Sequence, residues 1–297
     1  MINSPLFCNG GETKLVETFN TSEIIADYKN MNIDVQRFFK EDSILLYECV
    51  RTGYRFYYPF STIGDAKFYD DLSKDRNNYY SHRWEHKIAL NYINKSDSVL
   101  EIGSGFGVFL NLLKQKKIKA KGLELNPHAV KQCKSQGLDV KEALIQQEAL
   151  QLKNAYSIIC YFQVLEHITE VHDFIKSSLD TLKKDGKLII GVPNNNPYLF
   201  INDKYHTLNL PPHHAGLWNK KSLKSLETIF PLKLEEITFE PLVKTYSYFL
   251  NFQFNNSNVL VKIILKTLNK LIPRILKKVL CKFIKGRNVL VVFKKTI

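Results

Sequence analysis

The sequence predicts an α/β protein built on a doubly wound parallel sheet. Three observations point to it. Between about 96 and 240, short apolar runs alternate with segments of helical spacing. The run AYSIICYF (155–162) is almost wholly apolar, as a strand buried on both faces is. A glycine-rich turn, 103–107, joins the first apolar run to the first helical segment. Strands alternating with helices in this way wind into a parallel sheet through right-handed crossovers.

In chain order, residues 1–95 form an N-terminal extension rich in Tyr and Phe, without a regular alternation of helix and strand patterns. SVLEI (98–102) is the first strand and VFLNLLKQK (108–116) the first helix. KAKGLEL (119–125) is the second strand, and Pro127 suits the first turn of the helix after it. LDVKEA (138–143) reads as the third strand and AYSIICYF as the fourth. VHDFIKSSLDTLKK (171–184) is an amphipathic helix with Gly186 near its stop, and GKLIIGVP (186–193) is the fifth strand. Ligands of such sheets sit beyond the carboxyl ends of the strands.

Composition sets bounds around this reading. Of 297 residues, 44% are hydrophobic and 24% charged, the balance of an ordinary globular protein. No apolar run approaches the ~18 residues of a spanning helix. No basic start leads into an apolar run at the N-terminus, and the five cysteines are scattered, so a cytoplasmic location is expected. The net charge of +13 is local. Residues 242–297 hold 12 Lys or Arg and no Asp or Glu, leaving a net of +1 before Leu242. A nucleic-acid partner is therefore not expected.

The turn Glu101-Ile-Gly103-Ser104-Gly105-Phe-Gly107 carries the chemistry. Glycines let a ligand approach the backbone, and the following helix presents free N–H groups. Glu101 would repel a pyrophosphate but attract an ammonium group. Glu124 ends the second strand, where an acid accepts hydrogen bonds from two ribose hydroxyls. A ligand with an amino acid at one end and a ribose at the other satisfies both.

On these residues, and on Gly122-Leu-Glu124, Gln163-Val-Leu-Glu166-His167, Lys183-Lys-Asp-Gly186 and Val192-Pro193-Asn194, the chain resembles the class I SAM-dependent methyltransferases. The resemblance implies a Rossmann-like domain over 96–297 and S-adenosyl-L-methionine (SAM) as cofactor. It implies that Gly103, Ser104, Gly105 and Gly107 surround the methionine end, with Glu101 orienting it and Gln163 nearby. Glu124 and Leu125 would serve the ribose. Leu144 and Ile145 would flank the adenine, although Leu144-Ile145-Gln146 lacks the acid often found there. In this fold the last strand, here NVLVVFKK (288–295), lies antiparallel beside the sixth, here LKLEEITFE (232–240).

A looser resemblance joins the chain to bacterial methyltransferases acting on sugars of surface glycans. It rests on Phe68-Tyr69-x-x-Leu72, Tyr79-Tyr80, Trp84 and Leu210-Pro-Pro-His213-His214 followed by Trp218. It implies O-methylation of a sugar hydroxyl in a glycan or its nucleotide- or lipid-linked precursor, within polysaccharide biosynthesis. A quinone-like acceptor, an RNA, or a SAM-binding partner without chemistry are the alternatives. Some such relatives begin with a zinc ribbon of two Cys-x-x-Cys pairs. Here Cys8 and Cys49 each lack their mate, so no zinc is expected.

A hydroxyl acceptor must lose a proton, and His is the natural base near neutral pH. His167, His213 and His214 are the candidates, with His167 either base or pocket wall. Trp218 is a candidate sugar-stacking platform. Some quinone-ring O-methyltransferases bind a metal with Glu-x-x-Glu-His. Gln163 replaces the first Glu, so a catalytic metal is not expected. The chain has no NPPY-type motif after the fourth strand, which argues against an amino acceptor.

Lys262, Lys266, Lys270 and Arg274 recur every four residues, followed by Lys277, Lys278, Lys282 and Lys285 among apolar residues. This is a basic amphipathic helical insertion over about 245–286, broken near Pro273. Two readings stand at this point. One is contact with a membrane or lipid-linked substrate through 259–287, peripheral on the inner face. The other is a helical lid or dimer face packed on the core.

Overall fold

The computed structural model describes residues 2–75, 82–195, 205–206 and 209–297. Tyr79, Tyr80 and Asn196 lie outside the described residues. The chain begins with β1 (Thr13–Asn20), α1 (Thr21–Lys29), β2 (Ser43–Cys49), β3 (Arg55–Tyr58), α2 (Ala66–Asp75) and α3 (Trp84–Ala89). Then follow β4 (Ser98–Ile102), α4 (Val108–Gln115), β5 (Lys119–Leu123), α5 (Pro127–Ser135) and β6 (Val140–Lys141). Next come α6 (Ile145–Gln151), β7 (Tyr156–Phe162), α7 (Val171–Thr181), β8 (Leu182–Pro193), β9 (Gly216–Leu217) and α8 (Lys220–Lys224). The last elements are β10 (Leu232–Pro241), α9 (Tyr246–Asn256), α10 (Val259–Leu271), α11 (Pro273–Phe283) and β11 (Lys285–Lys295).

Seven strands form the main sheet in the order β10-β11-β8-β7-β4-β5-β6. The strands from β8 to β6 pair in parallel. β11 runs antiparallel between β10 and β8, as expected for its place in this fold. Strand periodicity explains why β7 is apolar throughout. Ile158, Cys160 and Phe162 pack with Ala89, Phe109 and Leu113 on one face. Ile159 and Tyr161 pack with Phe174, Ile175 and Leu179 on the other. Both faces are thus covered by helices.

Some boundaries differ from the sequence reading. The third strand shrinks to Val140–Lys141, and α6 occupies Ile145–Gln151, for which no helix was expected. The helix read over 171–184 ends at Thr181, because Leu182 is already paired with Tyr156 at the start of β8. Cross-strand pairing outweighs the helical spacing of those last residues.

The N-terminal extension contributes a second sheet, β1-β2-β3-β9, all antiparallel. Its last strand comes from the loop after β8, where Phe56 pairs with Gly216. That pairing fixes the segment 209–218 against the extension. Trp218 is fully buried there, 4.3 Å from the Tyr54 ring. This corrects the expectation of a sugar-stacking Trp, because no face of the indole is open. Its bulk fills the core between the two sheets instead.

Candidate active site

The carboxyl ends of β4, β5 and β7 open into a cavity of about 520 Å³. Gly103 and Gly105 hold positive φ angles of 71° and 52° in the turn after β4. A Cβ on Gly103 would stand 2.5 Å from Val164 Cγ2, so a side chain there would both strain the backbone and displace Val164. The amides of Gly103 and Ser104 donate to the Leu123 carbonyl, which seats the turn on β5. Glu124 completes it. Its carboxylate accepts from the amides of Gly105 (2.7 Å), Leu125 (2.8 Å) and Asn126 (2.9 Å).

Glu101, Gly103, Ser104, Gly105, Glu124 and Leu125 all line this cavity, as do Leu144 and Gln163. Gly107 does not. It opens α4 at φ 74°, and a Cβ there would meet Leu138 Cδ1 at 2.4 Å. Its role is close packing of the helix start, which corrects its assignment to the ligand.

The residues present suit SAM. Glu101 is buried, and its Oε2 has no hydrogen-bond partner. Burial, and secondarily the charge of Glu124, hold its carboxyl well above the ordinary range. The ammonium of a methionine moiety supplies the counter-charge this group lacks. Ser104 Oγ is likewise buried without a partner.

The opposite wall comes from the N-terminal extension and the end of β7. Ile63, Gly64, Asp65, Tyr69 and Arg83 join His167 and Glu170 around the cavity. Sequence reasoning did not find Asp65 or Arg83. They stand far in sequence from every cofactor motif, and no local pattern marks them. Tyr69 was legible only as part of the Phe68-Tyr69 pair.

His167 Nδ1 lies 2.5 Å from the His213 carbonyl and 3.1 Å from the Tyr69 hydroxyl. Burial lowers its pKa to about 4. His213 and His214 are not on an open overhanging loop. Both are buried, with ring centroids 4.9 and 5.0 Å from that of His167, and neither lines the cavity. The three residues read as alternatives in the sequence thus form one cluster. Their ring nitrogens lie within 4.8 Å of one another, the one such potential ligand group found among the described residues. Burial, and secondarily His213, hold His214 well below the ordinary histidine range. His86 instead packs between Phe109 and Phe162.

Glu166 is fully buried and neither of its carboxylate oxygens has a hydrogen-bond partner. Burial pushes its pKa up to about 8. A raised folded-state pKa contributes stability that is full below the unfolded value of 4.5 and lost as pH rises through about 8. Glu166→Gln should therefore lessen the fall in Tm across that range, by a few degrees at the alkaline end. Thermal melts of the two proteins check this. Parallel curves would assign the alkaline loss to other groups.

Comparison with known proteins bears on the fold and the family. A family profile described as "Methyltransferase domain" matches residues 75–230, just over half of the chain. A SAM-dependent methyltransferase from Archaeoglobus fulgidus superposes with a TM-score of 0.52 at 18% identity, covering 77% of this chain and 100% of that one. The YcgJ protein of Bacillus subtilis gives 0.48 at 14% identity, covering 73% and 100%. No curated protein matches the sequence. The seven-stranded sheet with its antiparallel C-terminal strand is the Rossmann-like methyltransferase fold. The chain belongs to the class I SAM-dependent methyltransferase family, and its cofactor is S-adenosyl-L-methionine.

Proposed function

We propose that the protein methylates a hydroxyl oxygen of a sugar, in a surface glycan or its nucleotide- or lipid-linked precursor. The observation that carries this reading is the oriented, neutral imidazole of His167 in the cavity wall. A neutral amine already offers a lone pair. A hydroxyl must shed its proton as its oxygen attacks, so a base serves an oxygen acceptor in particular. When bound, SAM supplies an electrophilic methyl group on a sulfonium.

The chain's own residues prepare the acceptor. The His213 carbonyl can only accept, so the network assigns the ring hydrogen of His167 to Nδ1. Nε2 then holds the lone pair. A pKa near 4 keeps the ring unprotonated at neutral pH, ready to receive a proton. Glu166 Oε1 stands 4.0 Å from Nε2. Tyr69, which donates to the His213 carbonyl, buttresses this arrangement. Asp65, Arg83 and Glu170 add the polar groups that a polyhydroxylated acceptor uses. The glycan-type motifs around Phe68-Tyr69 and His213-His214 support the same reading.

The test is an acceptor screen with purified protein and SAM. Nucleotide sugars, glycan oligosaccharides, a lipid-linked saccharide, a quinol and an RNA are compared. S-adenosylhomocysteine release and a one-methyl mass gain are the readouts. We expect methylation among the saccharides alone. Methylation of the quinol or the RNA instead would overturn the sugar assignment.

A further inference from the structure

The helical insertion between β10 and β11 packs on the fold mainly through α9, with Leu280 and Cys281 of α11 half-buried against the same small cluster. In α9, Tyr246, Phe249, Leu250 and Phe252 are buried. In α10 no residue is buried, and in α11 only Leu276 is. Nine of the nineteen large apolar side chains exposed among the described residues lie between 259 and 283. Leu260, Leu271 and Phe283 are 68%, 71% and 72% exposed. None of the residues lining the cofactor cavity comes from the insertion. It is therefore not a lid over the cavity, and the apolar surface of α10 and most of that of α11 is not spent on the core.

Helical geometry organises this surface. Leu260, Ile263, Ile264 and Leu271 share one face of α10, with Lys262, Lys266 and Lys270 along its flank. On α11, Ile275, Val279 and Phe283 recur at four-residue spacing, beside Arg274, Lys277, Lys278 and Lys282. Each helix thus sets an open apolar stripe against an unbroken row of cations.

We propose that α10 and α11 dock the protein on an anionic lipid bilayer, lying in the interface with the apolar stripes inserted and the cations on the headgroups. Charge complementarity selects this occupant. Residues 242–297 carry 12 basic and no acidic residues. A second copy meeting this surface about a twofold axis would set the same cations against each other. A nucleic acid would neutralise the cations but leave the apolar stripes in water. Among the described residues no helix is long and apolar enough to cross a membrane, so the attachment is peripheral. This inference is independent of the acceptor.

Co-flotation of the full-length protein with liposomes tests it. Vesicles of phosphatidylcholine alone are compared with vesicles containing phosphatidylglycerol, with and without added salt. We expect stronger binding to the anionic vesicles by on the order of tenfold or more, weakened by salt. Lys262→Ala/Lys266→Ala/Lys277→Ala/Lys278→Ala should erase that preference. Ile263→Asp/Ile275→Asp should abolish flotation with either vesicle. SAM binding, measured in each variant, reports that the fold is intact. Equal binding to both vesicles, or none, would overturn the proposal. So would a stable dimer in sedimentation that Ile263→Asp/Ile275→Asp dissolves, because a second copy would then cover the surface.

Discussion

His167→Ala lowers kcat by on the order of 10²–10⁴-fold and leaves SAM affinity nearly unchanged. The reason is positional. The imidazole stands at the wall of the cavity, with Nδ1 committed to the His213 carbonyl. No contact in the structure ties it to the glycine turn or to Glu124. Removing it should cost the proton transfer rather than cofactor capture. The same geometry sets the pH response of the wild-type enzyme. Burial holds the ring's pKa near 4, and only the neutral ring accepts a proton. The kcat profile should stay level from neutral pH downward and fall as pH approaches 4. Steady-state kinetics with calorimetric SAM titration check both. Unchanged kcat in the variant would make His167 a wall residue. A wild-type protein that binds SAM but turns over no acceptor would be a non-catalytic partner.

Glu124→Ala weakens SAM binding by on the order of 100-fold or more. A ribose hydroxyl donating to the remaining lone pair of a charged acceptor contributes ~1.5–3 kcal/mol, and ~1.4 kcal/mol is tenfold. The structure adds a second cost. The same carboxylate accepts three backbone amides and so shapes the glycine turn after β4. Glu124→Gln does not separate the two effects. It keeps the side-chain length but turns one oxygen into a donor facing donors, so it should also disturb the loop. Calorimetry gives the affinities, and thermal melts show whether the fold survives. Undiminished binding by a folded Glu124→Ala protein would move the ribose site elsewhere.

How much of this was readable in advance follows from the range of each interaction. The strand SVLEI and the helix after it lie where the pattern placed them, to within a residue. Their signals are local: apolar spacing, a glycine turn, a proline at a helix start. The glycine-turn half of the cavity is local too. Glu101, Gly103, Ser104 and Gly105 are neighbours in the chain, and Glu124 closes the next strand.

The opposite wall of the cavity was not readable in this way. Tyr69 meets His167 across 98 residues of chain, and Arg83 joins the same wall from the extension. The sheet that carries this wall is finished by β9, drawn from a loop some 160 residues after β3. Pairing of that kind depends on which edges are brought together, and no periodicity records it. The same holds for Trp218. An aromatic beside a proline-histidine loop suits a sugar platform and a buried plug equally well. Only its position against Tyr54 decides for the plug.

The tail divides in the same way. Sequence alone determined that α10 and α11 are amphipathic and basic, because residues three and four apart share a helix face. Whether the apolar stripes meet the core was decided by the tertiary structure, since β10 and β11 pair with each other and with β8 and leave the stripes of α10 and α11 outside. Local patterns specify what a segment can bury. The closing of distant strands specifies what it does bury.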